Sequence, residues 1–170
     1  MAAIGLLDPD EPYELLDGEL VHVSPQNPTH AAVISELNCA LTFAYGPTFL
    51  VGVQVPIGGI ADSIPEPDLT VTTAAIRRRD RHPRADEATL IIEVSDTSVR
   101  RDIRKGAIYA AAGAPEFWRV EIPRQVVVVH RGPKPDGTWD EVIDVGVGAG
   151  LALPGTHQGI EVASFLRTAG

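Results

Sequence analysis

Short runs of alternating apolar and polar residues occupy most of the chain, and two longer segments instead repeat their apolar residues with the period of a helix. The first short run, YELLDGELVHV, has the pair Asp17-Gly18 between two apolar stretches. Because Asp-Gly in this setting is a strong hairpin signal, we predict an N-terminal β-hairpin with strands at residues 13–16 and 19–23.

The first helical segment is PTHAAVISELNCALTFAY, at residues 28–45. Pro28 suits the first turn of a helix, and Gly46-Pro47 would end it. One face of this segment is apolar and comprises Val33, Leu37, Leu41 and Ala44. We therefore predict an amphipathic helix over these residues.

The second helical segment follows the apolar run LIIEVS and ends at Gly113-Ala114-Pro115, with Ser95, Thr97 or Ser98 available as the N-cap. Its side chains divide between two faces. The apolar face comprises Val99, Ile103, Ala107 and Ala110. The polar face comprises Asp102, Lys105 and Tyr109, which are spaced i, i+3 and i+7.

Six further apolar or β-branched runs predict strands, at residues 49–57, 67–73, 89–95, 116–122, 125–131 and 137–145. A closing segment, residues 157–170, is expected to end in a helical turn. With one helix before the central strands and one after them, the pattern predicts an α/β (α+β) fold with helices packed on a sheet. The length of 170 residues favours a single domain, residues 1–170.

Composition adds that the chain can form a real core, since 44% of its residues are hydrophobic. No apolar run approaches the ~18–20 residues that a membrane-spanning helix needs, so we expect no membrane partner. The N-terminal segment lacks the basic and apolar regions of a signal peptide. The single cysteine, Cys39, excludes an internal disulfide and a cysteine-built zinc site, and we expect a cytoplasmic location.

The net charge of −9 argues at first against a nucleic-acid partner. The charge is unevenly distributed, however. Residues 1–76 contain ten acids and no lysine or arginine, whereas residues 77–105 contain nine of the 14 basic residues. A basic strip on an acidic body can bind phosphates locally. The alternative is that the stretch RRRDRHPR is a solvated loop.

Glu93 interrupts the apolar strand LIIEVS. Apolar neighbours on both sides indicate a strand that is covered on both faces, and an ionised carboxylate buried there needs a partner or a metal. Glu93 also lies near the C-terminal end of the strand, where a side chain can point into a cleft. The alternative is a structural ion pair with an arginine.

Asp68 follows Pro67 and opens a strand that we expect to lie antiparallel to the strand of Glu93. Two carboxylates on neighbouring strands can share one divalent cation, and ligation by oxygen alone suits Mg²⁺. A turn or strand-cap role is the alternative for Asp68.

Lys105 lies on the helix that starts soon after Glu93, so its side chain can reach back to the two carboxylates. There the ammonium could orient an attacking water or neutralise charge on a pentavalent phosphate. Outside this setting Lys105 would be an exposed helix lysine, Asp102 a favourable charge near a helix N-terminus, and Tyr109 a packing residue.

These motifs resemble a known family. Pro67-Asp68, followed by Glu93-Val94 at the end of an apolar strand, resembles the PD-(D/E)XK phosphodiesterase superfamily, which has the restriction-endonuclease-like fold. The ordered set YELLDGELVHVSPQNPTH, PDLTV, LIIEVSDTS, DIRKGAIYAAAGAPEFW and LALPG narrows the resemblance to the Uma-two family of endonucleases. That resemblance runs from about Tyr13 to Leu166.

The resemblance implies a central mixed β-sheet flanked by helices and an enzyme that hydrolyses phosphodiester bonds in nucleic acid, with Mg²⁺ or Mn²⁺ as cofactor and DNA as the expected partner. Asp68 and Glu93 would bind the metal, with the Val94 carbonyl as a third ligand. Superfamily members often have an acid on the first helix, which makes Glu36 a further candidate ligand; the alternative for Glu36 is a solvent-facing charge.

The chain departs from the superfamily pattern at one position. That pattern has lysine two residues after the glutamate, where this chain has Ser95. In the narrower family the helix motif D-x-x-K-x-x-x-Y resembles a substitute, which implies Lys105 as the third catalytic residue beside Asp68 and Glu93.

Nearby arginines are expected to hold the nucleic-acid backbone, namely Arg77, Arg78, Arg79, Arg100, Arg101 and Arg104. Paired cuts on a duplex suit two-fold symmetry, so a homodimer is expected. Two other functions stay open from the sequence: a non-catalytic module that binds nucleic acid or protein on the same fold, and a hydrolase acting on a small phosphodiester.

Overall fold

The computed structural model describes residues 12–23, 26–78 and 80–166, with only the backbone described for Arg77 and Arg78. Two α-helices lie within these ranges, α1 (Pro28–Tyr45) and α2 (Val99–Ala111). The strands there are β1 (Tyr13–Leu16), β2 (Glu19–His22), β3 (Phe49–Val53), β4 (Leu69–Thr73), β5 (Ala88–Ser95), β6 (Glu116–Glu121), β7 (Val126–Pro133), β8 (Trp139–Gly146), β9 (Gly150–Ala152) and β10 (Gly159–Glu161).

Six of the strands form one mixed sheet in the order β3-β4-β5-β6-β7-β8. All neighbours are antiparallel except β5 and β6, which are parallel. A parallel pair needs a crossover connection, and α2 is that crossover. The pairs β1-β2 and β9-β10 form separate two-stranded sheets. The predicted α/β (α+β) fold, with a central mixed sheet flanked by helices and an N-terminal hairpin, is confirmed.

The hairpin turn has the backbone that its sequence predicts. Asp17 has φ of 49° and Gly18 has φ of 78°, and two successive positive φ angles define the tight turn that Asp-Gly favours between antiparallel strands. The hairpin register pairs Leu16 with Glu19 and Tyr13 with His22. The strands β1 and β2 are therefore in the positions that the alternating pattern predicts.

The central strand β5 is covered on both faces. Leu90, Ile92 and Val94 belong to the core on one side of the sheet, which also contains the buried residues of α1. Ile91 belongs to a second core on the other side, together with Tyr109 of α2. Since side chains alternate along a strand, Glu93 has the same orientation as Ile91 and faces α2.

The face of α2 that packs on the sheet is not the apolar stripe identified in the sequence. Ile103 of that stripe is 50% exposed and Ala107 is also exposed, and only Ala110 is buried. The buried face instead contains Asp102, Lys105 and Tyr109. The usual rule that the apolar face of a helix is buried fails here because these polar side chains have partners on the sheet and the hairpin, described below.

A close approach between α2 and β6 makes this arrangement fit. A Cβ atom at Gly106 would lie 2.7 Å from Cε1 of Phe117. The Phe117 ring is buried between Tyr109, at 5.5 Å between ring centroids, and His130, at 5.0 Å. Glycine at this position lets the helix approach the sheet closely enough for the Lys105 side chain to reach it.

Some element boundaries differ from the sequence predictions. Strand β3 ends at Val53 rather than at residue 57, because Gln54 has φ of 51° and takes the chain out of the strand. The short strands β9 and β10 were not predicted, since each has only three residues. No helix in the described part of the chain is long and apolar enough to cross a membrane.

We expect Gly106→Ala to destabilise the protein, although alanine is the better helix former by about 1 kcal/mol. The added methyl would overlap the enclosed Phe117 ring, and overpacking of this kind typically costs about 1–3 kcal/mol. Urea unfolding should therefore give a lower midpoint for the variant. An unchanged or higher midpoint would contradict the close packing of α2 on β6.

Candidate active site

A cavity of about 680 Å³ lies where the N-terminal hairpin, the start of α1, the end of β5 and the start of α2 meet. Its wall includes Glu14, His30, Asp68, Glu93 and Lys105. The tertiary structure thus brings together the three residues predicted to be catalytic, and adds one acid and one histidine to them.

Glu93 is buried and is contacted by two side chains of α2. Its Oε1 accepts a hydrogen bond of 2.7 Å from the hydroxyl of Tyr109 and lies 2.7 Å from Nζ of Lys105. Lys105 and Tyr109 are spaced i, i+4, so one helical face presents both to the same carboxylate. The alternative of an ion pair between Glu93 and an arginine is wrong, because the partner is this lysine.

Lys105 is also buried, and its ammonium has three acceptors. Besides Glu93, Nζ donates to Oε1 of Glu14 and to the carbonyl oxygen of Glu66, each at 2.8 Å. A lysine ammonium has three N–H donors, so each of them has an acceptor within the protein. The alternative of an exposed helix lysine is therefore wrong.

Asp68 lies directly before β4 and is held against the end of β5. Its Oδ2 accepts a hydrogen bond of 2.8 Å from the backbone N–H of Val94 and lies 3.4 Å from Nε2 of His30. The same His30 Nε2 donates to the Val94 carbonyl at 2.7 Å. The carbonyl that was predicted as a metal ligand thus already accepts one hydrogen bond, and a carbonyl oxygen has two lone pairs.

The two carboxylates have oxygens that suit a hard cation. The contacts described above fall on Oδ2 of Asp68 and on Oε1 of Glu93. Both carboxylates also belong to residues on the cavity wall. Among the described residues, no set of three His, Cys, Asp or Glu side chains is arranged to bind a metal. Two carboxylates completed by water and substrate oxygens are nevertheless a common Mg²⁺ site, so the residues fit this ion.

The electrostatics of the site also favour a cation. Burial raises the pKa of Glu93 well above its ordinary value; the Lys105 ammonium opposes this rise, and the charges of Asp68 and Asp102 add to it. Burial alone would lower the pKa of Lys105, but the carboxylates of Glu93 and Glu14 raise it. The site therefore has more carboxylates than its one ammonium balances.

Ser95 occupies the position of the superfamily lysine and has a structural contact. Its hydroxyl donates a hydrogen bond of 2.6 Å to Oδ2 of the buried Asp102, and the Ser98 hydroxyl donates to the same oxygen. These bonds tie the first turn of α2 to the end of β5. The ammonium that lies beside Glu93 is that of Lys105 on α2.

Sequence reasoning did not assign Glu14 or His30 to the site. Glu14 and Leu16 are the buried residues of β1, and Tyr13 and Leu15 alternate with them. An acid on the buried parity of a strand is the signal that could have identified Glu14. His30 lies in the first turn of α1, and only the tertiary contact with Asp68 and Val94 distinguishes it from a surface histidine.

The other predicted site residues differ in their position relative to the cavity. Glu36 does not line the cavity within the described part of the chain. Arg101 lines the cavity, and Arg100 is exposed in the same turn of α2. Arg104 instead contacts the hairpin, where it donates to Asp17, Glu19 and the Leu16 carbonyl. The side chains of Arg77 and Arg78, and the whole of Arg79, lie outside the described residues.

Residues 3–165 match the Uma2 family, which is described as "Putative restriction endonuclease". The chain belongs to the Uma2 family. A solved structure, a "putative nuclease" of DUF820 from Anabaena variabilis, is 17% identical over 96% of this chain and 94% of that chain, with a TM-score of 0.72. This likeness confirms the predicted restriction-endonuclease-like fold.

A more distant likeness is to the type IIG restriction endonuclease BpuSI, which is 13% identical over 78% of this chain and 16% of that chain, with a TM-score of 0.46. No protein with a curated function has a significantly similar sequence. Membership of the Uma2 family and the DUF820 likeness together indicate a nuclease-like protein.

We expect Lys105→Met to destabilise the protein strongly, because Glu14 and Glu93 would stay buried without a counter-charge. Removing one partner of a buried ion pair typically costs about 3–5 kcal/mol. Lys134→Met is a matched control, since Lys134 pairs with Asp140 on the surface and such pairs contribute little. Urea unfolding measures both free energies, and equal losses would contradict the buried pairing.

We expect Asp68→Asn to lower the pKa of His30. In the wild type, burial lowers the His30 pKa, but the hydrogen bond and charge of Asp68, the Val94 carbonyl and the charge of Asp102 together raise it above its ordinary value. NMR titration of the imidazole in metal-free buffer measures the change, with Asp140→Asn as a control that should leave it unaltered.

The raised pKa of His30 in the wild type also predicts a pH dependence of stability. A raised histidine pKa stabilises the fold at low pH, and this contribution is lost as pH rises through the folded pKa. The stability lost in Asp68→Asn should therefore be larger below about pH 6 than above about pH 8. A His30 pKa that is unchanged in the variant would contradict the assigned contact.

Proposed function

We propose that this protein is a metal-dependent endonuclease that hydrolyses phosphodiester bonds, with Mg²⁺ or Mn²⁺ as cofactor and DNA as substrate. The observation that supports it best is the meeting of Asp68, Glu93 and Lys105 at one polar cavity. Membership of the Uma2 family supports the same reaction class.

Asp68 Oδ1, Glu93 Oε2 and the Val94 carbonyl are the atoms that would hold the metal. When bound, the ion would supply Lewis-acid stabilisation of the phosphoryl oxygens and a more acidic water. The Val94 N–H fixes Asp68 by its hydrogen bond of 2.8 Å. Tyr109 and Lys105 fix Glu93 through its Oε1. Each proposed ligand is thus held in place by contacts on one of its two oxygens.

Lys105 has two proposed roles in this site. Its charge opposes the rise in the Glu93 pKa that burial causes, so it helps to keep the ligand ionised. It could also stabilise charge on the phosphate, but only by exchanging one of its three present acceptors, Glu93, Glu14 or the Glu66 carbonyl. The first role is available in the arrangement described here.

Arg100 and Arg101 are the proposed contacts to the nucleic-acid backbone, because they lie in the turn of α2 next to the cavity. Backbone contacts of this kind position a substrate without reading its sequence. Arg104 already makes contacts of 3.0 Å or less with Asp17, Glu19 and the Leu16 carbonyl. Because Arg101 has one longer contact, 3.5 Å from its Nε to Oδ1 of Asp102, Arg104 is the weaker candidate. Arg77, Arg78 and Arg79 stay predictions.

We expect Asp68→Asn and Glu93→Gln each to reduce Mg²⁺- or Mn²⁺-dependent cleavage of duplex DNA by about 100-fold or more. A catalytic metal contributes several kcal/mol of transition-state stabilisation, and each 1.4 kcal/mol corresponds to about tenfold in rate. Asp140→Asn, at an exposed ion pair, is the control and should cleave like the wild type.

Thermal unfolding of the same proteins with and without Mn²⁺ tests the ligands directly. A ligand that binds only the folded state raises its stability, so the wild type should gain melting temperature and Glu93→Gln should not. Full cleavage by both Asp68→Asn and Glu93→Gln would refute the proposed function. Cleavage assays on single-stranded DNA, RNA and small phosphodiesters would define the substrate class of the enzyme.

The second candidate function is a nucleic-acid-binding module that lacks catalysis. It is favoured by one observation, that all three protons of Lys105 have acceptors in the protein while Ser95 replaces the strand lysine. Such a module would bind DNA but would show neither cleavage nor stabilisation by Mn²⁺. A homodimer, which paired cuts on a duplex would favour, stays a proposal that sedimentation would test.

A further inference from the structure

We propose that Glu14 of the N-terminal hairpin is a positioning residue of the active site, which holds the Lys105 ammonium against Glu93 and so makes catalysis depend on the docked hairpin. The proposal, which rests on the proposed function, assigns a role to a residue 91 positions from Lys105 in the chain. Glu14 would act through Lys105 and would not contact the substrate phosphate.

The contacts of Glu14 connect three elements. Its Oε1 accepts a hydrogen bond of 2.8 Å from Nζ of Lys105 on α2 and one of 3.0 Å from the backbone N–H of Glu66. The carbonyl oxygen of Glu66 in turn accepts a hydrogen bond from the same ammonium. Glu14 therefore both fixes the position of the ammonium and fixes the segment that leads to Asp68.

Attachment of the hairpin does not by itself explain a buried acid. Arg104, next to Lys105 in sequence, already ties the hairpin to α2 from outside through Asp17, Glu19 and the Leu16 carbonyl. That outer contact uses exposed carboxylates, which pay little desolvation. Glu14 is only 4% exposed, and burying a carboxylate carries a desolvation penalty that its ion pair must offset.

The second oxygen of Glu14 also points to a role in the site. Oε2 is buried and has no hydrogen-bond partner among the described residues, and Glu14 is part of the cavity wall. Buried polar atoms without partners are rare and call for an explanation. If the carboxylate is retained for the charge that it presents to Lys105, one oxygen is sufficient for that contact. The second oxygen can then be left without a hydrogen bond.

Loss of the Glu14 charge should change the site in a specific way. Lys105 would keep Glu93 as its single carboxylate partner and the Glu66 carbonyl as a neutral acceptor, so its ammonium would be held less firmly against Glu93 Oε1. The rate of the chemical step should fall, because Glu93 would be less well oriented. The affinity for nucleic acid should not fall, because the proposed contacts to the nucleic-acid backbone, Arg100 and Arg101, are unaffected.

The test compares Glu14→Gln with Glu19→Gln, the same substitution at the outer contact of the same hairpin. Loss of an outer-shell partner typically costs about 10–100-fold in activity, so Glu14→Gln should lower kcat by about that factor with KM within about twofold of the wild type. Glu19→Gln should leave both unchanged. Equal kcat values for the two variants would overturn the proposal. A higher KM for Glu14→Gln with an unchanged kcat would also overturn it.

A second measurement separates this proposal from the proposed function. The Nζ–H signals of Lys105 in ¹H–¹⁵N NMR report whether the ammonium is held. They should be visible in the wild type and in Glu19→Gln, and lost or strongly broadened in Glu14→Gln. If the wild type does not cleave nucleic acid, the proposed function fails, yet these signals still decide whether Glu14 positions Lys105. Sharp signals in Glu14→Gln would overturn that role.

If Glu14→Gln does not fold, Glu14→Asp replaces it in both measurements. Aspartate keeps the charge but withdraws the carboxylate by one methylene from Nζ of Lys105. The same fall in kcat without a change in KM is expected, with the Lys105 signals broadened. Wild-type kcat and sharp signals in this variant would overturn the proposal.

Discussion

The burial of one ammonium group, that of Lys105, is the constraint on which the rest of the site depends. A buried charge is tolerated only when oppositely charged and polar groups surround it. Here those groups come from three parts of the chain: Glu93 of β5, Glu14 of β1 and the carbonyl of Glu66. The strand, the hairpin and the segment before β4 therefore all contact one side chain of α2.

The same constraint explains the packing of α2. Because its polar face meets the sheet, α2 leaves Ile103 of the apolar stripe exposed while Asp102 and Tyr109 are buried. The lost apolar contact is replaced by hydrogen bonds to Ser95 and Glu93. Gly106 brings the helix close enough to β6 for these bonds to form. The polar contacts of α2 therefore set its orientation together with the burial of Ile108 and Ala110.

These contacts have a consequence for chemistry. Lys105 and Tyr109 both contact one oxygen of Glu93, the Val94 N–H contacts one oxygen of Asp68, and both carboxylates belong to the wall of one cavity. Because the carboxylates outnumber the ammonium, burial and mutual repulsion raise the pKa of Glu93. A divalent cation would offset this repulsion. The ion pairs of Lys105 and the proposed cation would therefore both offset the charge of the same buried carboxylates.

The sequence by itself determined the hairpin, both helices and the main strands, because local periodicity and turn chemistry are properties of short segments. It also singled out Asp68, Glu93 and Lys105, because a charge inside an apolar strand and its neighbouring motifs can be read directly from the sequence. Only the tertiary structure decided the partners of Lys105, the buried face of α2 and the inclusion of Glu14 and His30. Those features depend on contacts between segments that are far apart in the chain, such as Glu14 and Lys105. A local pattern can show that a buried charge needs a partner, but the fold determines which residue provides it.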